Sequence, residues 1–126
     1  MLITIQVFQL IAFAFLMSVG QLLLKKTAIA ISDINNNSIQ ELGLYKSISL
    51  IMQIPWLYLA FCVYLLAIPL WIYILQKVAL SIAYPFSALA MIMVPIMASQ
   101  IFAEKLVFSY WIGAFLIIIG IIIIAK

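Results

Sequence analysis

Four long stretches of this chain contain no Asp, Glu, Lys, Arg or His: Leu2–Leu24, Ile54–Gln76, Val78–Ala103 and Leu106–Ala125. Every charged side chain lies between or after them. A helix needs about 20 apolar residues to cross the hydrocarbon core of a bilayer, and four such stretches nearly exhaust the 126 residues. The chain is 70% hydrophobic and 7% charged, against about a quarter charged in soluble domains. No soluble domain is expected. Strands of a membrane barrel would alternate polar and apolar over about 10 residues, whereas these runs are continuous. Helices are the other spanning structure that satisfies every backbone group internally. The expected fold is all-α, one four-helix transmembrane domain over 1–126, with a polar, partly interfacial connection at 25–53.

The same pattern excludes several function classes. Without an acid or base inside the spans, the usual intramembrane proton relay is missing. Cys62 is the sole cysteine and there is no histidine, so neither a disulfide nor a metal centre is expected, and no other cofactor is implied. Six lysines, scattered along the chain, supply all the positive charge, too thinly for a nucleic-acid surface. No nucleophile–base pair, carboxylate pair or phosphate-binding glycine loop occurs, so the chain does not read as an enzyme. The first stretch has no Lys or Arg before Lys25 and is too long for the core of a signal peptide, so it reads as a retained span.

Lys25 and Lys26 mark the expected end of the first helix. The interval after them holds Asp33, the run Asn35–Ser38 with an Asn36-Asn37-Ser38 sequon, Glu41 and Lys46. Its second half, with Ile39, Leu42, Leu44, Tyr45, Ile48 and Ile51, looks amphipathic and suits the interface. Pro55-Trp56 opens the second helix, with Trp56 and Tyr58 at headgroup depth. Gln76-Lys77 and Glu104-Lys105 are short turns, which make neighbouring helices antiparallel. Counting lysines on either side gives Lys25, Lys26, Lys46 and Lys105 against Lys77 and Lys126, a weak bias toward both termini lying outside the cytoplasm.

Polar chemistry concentrates in the third stretch. Proline lacks an N–H and clashes with the carbonyl four residues earlier, so Pro85 frees the carbonyl of Ser81 and Pro95 that of Met91. Ser81, Tyr84 and Ser87 surround the first break. Either they line a polar path, as broken helices do in transporters, or Ser side chains repair a merely kinked helix. In the first helix Gln6, Gln9, Ser18 and Gln21 either bind polar substrate groups or hold helices together. Lys25 and Lys26 suit a lipid phosphate at the membrane surface, or simply complement a helix end. Gly113 and Gly120 allow close helix approach and suit a packing or dimer seam.

Several segments resemble the four-helix members of the drug/metabolite transporter superfamily, which include the small multidrug resistance proteins. They are Val19–Lys26, Leu75–Pro85, Ile101–Leu106 and the helix bearing Gly113 and Gly120. The resemblance implies a small multidrug resistance-like bundle of four transmembrane helices. Multidrug members carry a Glu three residues before the glycine that matches Gly20, and here that position is Met17. The closer likeness is to the small subunits of the aminoarabinose–phosphoundecaprenol flippase, through Gly20-Gln21, Leu75-Gln76 and Ile82–Pro85. It implies a multi-pass protein of the bacterial inner membrane that helps flip an undecaprenyl-phosphate-linked sugar. It also implies pairing as a homodimer or with a related small subunit.

The residues support a lipid-linked substrate independently. A polyprenyl tail can stay in lipid, so only the sugar-phosphate head needs a polar path. The expected substrate-binding residues are Gln21, Ser81, Tyr84 and Ser87 along that path, with Lys25 near the phosphate. The alternatives are a small-metabolite or drug exporter, and a scaffold subunit of an envelope glycosylation complex. One repeat of four helices is half of what alternating access usually requires, so a dimer with the last helix at its seam is expected.

Overall fold

The computed structural model describes residues 4–37, 48–49 and 51–125. The described residues are all-helical, without strands. They form α1 (Thr4–Asn37), α2 (Pro55–Leu75), α3 (Leu80–Ser87), α4 (Leu89–Ile101) and α5 (Phe108–Ala125). Four segments are long and apolar enough to cross a membrane: Thr4–Asp33, Pro55–Leu75, Leu80–Ile101 and Phe108–Ala125. The Glu41, Lys46 and Ser38 features, and most of the amphipathic interval, lie outside the described residues.

The first helix does not stop at Lys25-Lys26. It continues to Asn37, so the segment expected as loop from residue 25 begins as three further helical turns. The reason is local. Between Lys26 and Asn37 there is no Gly or Pro, and Ala28 and Ala30 favour helix. The lysine pair ends the apolar zone, which is a statement about the medium and not about backbone hydrogen bonding. Gln6 and Lys25 are separated by about 28 Å at 1.5 Å per residue, close to the roughly 30 Å hydrocarbon thickness. The turns after Lys26 therefore extend beyond the hydrocarbon.

The third stretch is one span made of two helices, α3 and α4, that meet at Ala88. The break falls three residues past Pro85. The Ala88 N–H donates to the Pro85 carbonyl at 3.0 Å, one residue short of the regular α-helical acceptor. The Tyr84 carbonyl that loses this donor receives the Ser87 hydroxyl at 2.6 Å. The Ser87 side chain thus covers the carbonyl left without its donor at the break. Ser99 likewise donates to a carbonyl of its own helix, that of Ile96, at 2.7 Å.

Helix α1 is the centre of the bundle and packs against α2, α3 and α4, while α5 rests on α3 and α4. The core gathers Leu10, Phe13, Ala67, Ile74, Val78, Ala83, Phe86 and Ile121. Phe13 stacks on Trp71 with centroids 4.5 Å apart. Ser18 is fully buried and donates to the Ala14 carbonyl of its own helix at 2.7 Å, which spares the interior an unpaired hydroxyl. Gln6 donates to the Lys77 carbonyl, which places the start of α1 beside the α2–α3 turn. Only 11% of the α5 span is buried, so most of this helix faces lipid or another chain. A Cβ added at Gly113 or Gly120 would meet nothing within 4 Å among the described residues, so no close contact there requires a glycine.

Gly20 is different. A Cβ there would lie 2.9 Å from Cζ of Tyr64 and 3.2 Å from both Cε atoms. The missing side chain lets the Tyr64 ring lie directly against α1. A methyl group there would have to displace the ring, and overpacking of this kind costs about 1–3 kcal/mol. Gly20→Ala is therefore expected to lower thermal stability in detergent, followed by circular dichroism, whereas Gly113→Ala leaves it unchanged. Equal melting of the two variants would refute the close α1–α2 contact.

Candidate functional site

The charged side chains and several polar ones gather at the two ends of the bundle. One end of the bundle holds Gln6 and Lys77. The Lys77 ammonium donates to the Tyr73 hydroxyl at 2.7 Å and lies 4.4 Å from the centre of that ring. The other end holds Lys25, Lys26, Trp56 and Glu104. Lys26 sits 4.0 Å over the Trp56 ring, a cation–π contact worth about 0.5–1 kcal/mol when exposed.

Gln21 and Lys25 are one turn apart on α1 and so share a face. With Leu22 they meet Val94, Pro95 and Ala98 of α4 and Glu104 of the following turn around a cavity of about 250 Å³. Lys25 Nζ lies 2.7 Å from Glu104 Oε1, and both side chains are about half exposed. An ion pair of that exposure contributes roughly 0.2–1 kcal/mol. The residue before Glu104 is unusual. Ala103 adopts φ 54°, a left-handed conformation that costs an L-residue with a Cβ about 1–2 kcal/mol. The ion pair alone does not offset this. The end of α4 is held besides by the Phe102 N–H, which donates to Ala98 O at 2.8 Å. From α5, the Tyr110 hydroxyl donates to the Ile92 carbonyl at 2.6 Å and ties the two helices together.

Of the five expected site residues, the structure brings Gln21 and Lys25 together. Ser81, Tyr84 and Ser87 are elsewhere. Ser81 precedes Pro95 by about 21 Å of helix rise, toward the face occupied by Lys77. Tyr84 is 67% exposed on the outside of the bundle, and the Ser87 hydroxyl already serves the Tyr84 carbonyl. The proline at the cavity is the second one. Glu104 and Tyr110 were not among the expected site residues, and Pro95 stood out only for the Met91 carbonyl that it frees. One signal for Glu104 was available: with four spans, the first and third connections share a face, so an acid in the third lies at the same depth as Lys25.

Two apolar clefts flank α1. Leu24, Met52, Leu57, Tyr58, Ala60, Phe61 and Tyr64 line one of about 400 Å³ with no polar surface. Phe13, Met17, Tyr64, Ala67, Ile68, Trp71 and Ile72 line another of about 240 Å³. Met17 thus faces hydrocarbon-like surroundings at the depth where a coupling acid would sit. A carboxylate there has no partner, and placing one at mid-membrane costs roughly 2.5–3.5 kcal/mol on insertion scales. Met17→Glu is expected to lower the yield of folded protein and to bind no tetraphenylphosphonium in equilibrium dialysis. Micromolar cation binding by this variant would contradict the apolar character of the cleft.

No family model matches the chain, and no solved structure matches it. Several curated proteins do, under the name "Probable 4-amino-4-deoxy-L-arabinose-phosphoundecaprenol flippase subunit ArnE". One from Pseudomonas fluorescens is 29% identical over 72 residues, 57% of this chain and 63% of that protein. One from Aeromonas salmonicida is 38% identical over 66 residues, 52% of this chain and 58% of its own length. Both of these matches span less than two thirds of the relative. The match to the protein of Escherichia coli O127:H6 is longer: 33% identity over 116 residues, 92% of this chain and 94% of the relative. It runs through all four membrane-spanning helices of a multi-pass membrane protein. At that identity over nearly the full length of both proteins, the chain belongs to the ArnE family of flippase subunits.

Proposed function

We propose that the chain is a non-enzymatic subunit of a translocase that carries an undecaprenyl-phosphate-linked sugar across the bacterial inner membrane. The observation that carries this reading is the full-length likeness to ArnE proteins, set beside a polar cavity between Gln21, Lys25 and Glu104 at one membrane face. A lipid-linked substrate leaves its tail in the bilayer. The protein then needs polar groups only for the head, and polar groups in the spans are sparse here. Lys25 takes the phosphate and Gln21 the sugar hydroxyls. A drug exporter of the small multidrug resistance type would need a membrane acid for a cationic substrate. The apolar part of each described span holds none, since Asp33 lies past Lys25-Lys26, and Met17 stands in an apolar cleft.

The bundle we infer is small multidrug resistance-like, and it works as a pair, as a homodimer or with a related small subunit. Two observations support pairing. A Cβ at Gly113 or Gly120 of α5 would meet nothing within 4 Å among the described residues, which leaves room at both for another helix. Ser81 and Tyr84 point outward, where they line a path only if another subunit covers them. The relatives' name, which describes a flippase subunit, points the same way.

The test is a flipping assay in proteoliposomes that contain the chain and its partner subunit, with a labelled undecaprenyl-phosphate sugar. Gln21→Ala combined with Lys25→Gln is expected to slow transport by at least about tenfold, equivalent to roughly 1.4 kcal/mol. A normal rate in Tyr84→Phe/Ser87→Ala would remove those side chains from the path. Cysteine pairs placed at positions 113 and 120 are expected to crosslink between subunits in membranes, and a purely monomeric outcome would defeat the α5 seam.

A further inference from the structure

Lys26 differs from Lys25 and Lys77 in what it touches. Lys25 is paired with Glu104, and Lys77 donates to the Tyr73 hydroxyl. Lys26 lies over the face of the Trp56 ring, and among the described residues no acid pairs with it. A ring face attracts the charge but leaves the N–H donors of the ammonium for other acceptors. The larger apolar cleft, about 400 Å³, begins at the next residue of α2, Leu57, with Leu24 of α1 opposite. The Tyr58 hydroxyl donates to the Met52 carbonyl at 2.6 Å, which keeps that wall apolar. Phe61 and Tyr64 carry the wall along α2 to the level of Gly20, where the Tyr64 ring closes on α1.

We propose that this cleft and Lys26 together hold an anionic phospholipid of the surrounding bilayer, with one acyl chain in the cleft and the phosphodiester on the Lys26 ammonium. The site is separate from the cavity of Gln21, Lys25 and Glu104, and the inference is independent of the flippase reading. Consecutive residues of a helix point about 100° apart, so Lys25 and Lys26 serve different sides of α1. Depth selects the tail. Lys26 stands where the apolar zone of α1 ends, beside a tryptophan, a residue enriched at headgroup level. From Trp56 to Tyr64 the helix descends about 12 Å, within half of the roughly 30 Å hydrocarbon thickness. The cleft is therefore one leaflet deep and matches a fatty-acyl chain that ends near the middle of the bilayer. A polyprenyl tail longer than a leaflet would leave most of its length outside. Charge selects the head. A lysine without an acid beside it complements a phosphodiester that has no cation of its own, whereas a zwitterionic head brings its own ammonium and gains less.

The experiment is native mass spectrometry of the full chain, released from detergent micelles that contain phosphatidylglycerol and phosphatidylethanolamine in equal amounts and with the same acyl chains. The unmodified protein is expected to retain phosphatidylglycerol over phosphatidylethanolamine by about fivefold, the worth of one basic residue at an anionic surface expressed as a ratio. Lys26→Gln removes the preference, and Lys77→Gln, at the opposite end of the bundle, keeps it. Leu57→Trp fills the cleft and lowers retention of both lipids, with circular dichroism showing that the helices are intact. Equal retention of the two lipids by the unmodified protein, retention of neither, a preference that survives Lys26→Gln, or undiminished retention in Leu57→Trp would each overturn the inference. Displacement of phosphatidylglycerol by an equal amount of undecaprenyl phosphate would assign the cleft to the tail of a transported lipid, and the inference would fail while the flippase reading stands.

Discussion

A backbone carbonyl without a donor is tolerable in water and costly in hydrocarbon, where several kcal/mol are lost for each unpaired group. This constraint governs the whole bundle. It selects helices, and it explains why the hydroxyls in the spans are occupied locally. Ser18 serves Ala14, Ser87 serves Tyr84 and Ser99 serves Ile96. Tyr110 reaches from α5 to the Ile92 carbonyl. Ser87, which from the sequence looks like the lining of a polar path, covers the carbonyl left without its donor at the α3–α4 junction.

The charged side chains lie at the rims of the bundle. The cavity between α1 and α4 lies where Lys25 leaves the apolar zone and Glu104 enters the turn before α5. Each charge there keeps access to water. At mid-membrane the same two residues would be locked together by the desolvation cost of separating them. The close α1–α2 contact at Gly20 and Tyr64 sits one residue from Gln21, so the geometry of the polar face of α1 depends on that packing too.

Legibility in the sequence varied with the physics involved. The four spans were plain, because hydropathy averaged over a helix length depends on composition alone. The end of α1 was misplaced, since Lys25 and Lys26 report where the lipid stops, and nothing before Asn37 stops the helix. The two prolines of the third stretch were both visible, but Pro85 with Ser81, Tyr84 and Ser87 drew attention by polarity. Pro95 is the one beside Gln21 and Lys25, and its neighbours Val94 and Ala98 carry no chemical signal of their own.

What the sequence determined by itself is the medium of each residue: which segments lie in lipid, which ends lie at which face, and that no acid or base crosses the hydrocarbon. These follow from local hydrophobicity and from the parity of the crossings. The tertiary structure decided which polar groups meet. Whether Lys25 faces Glu104, or Tyr84 faces outward, depends on the rotation of each helix about its axis. That rotation is set by contacts such as Phe13 on Trp71 and Tyr64 against Gly20, between residues far apart in the chain. No local pattern encodes it, because in an almost uniformly apolar helix every face looks alike until another helix packs against one of them.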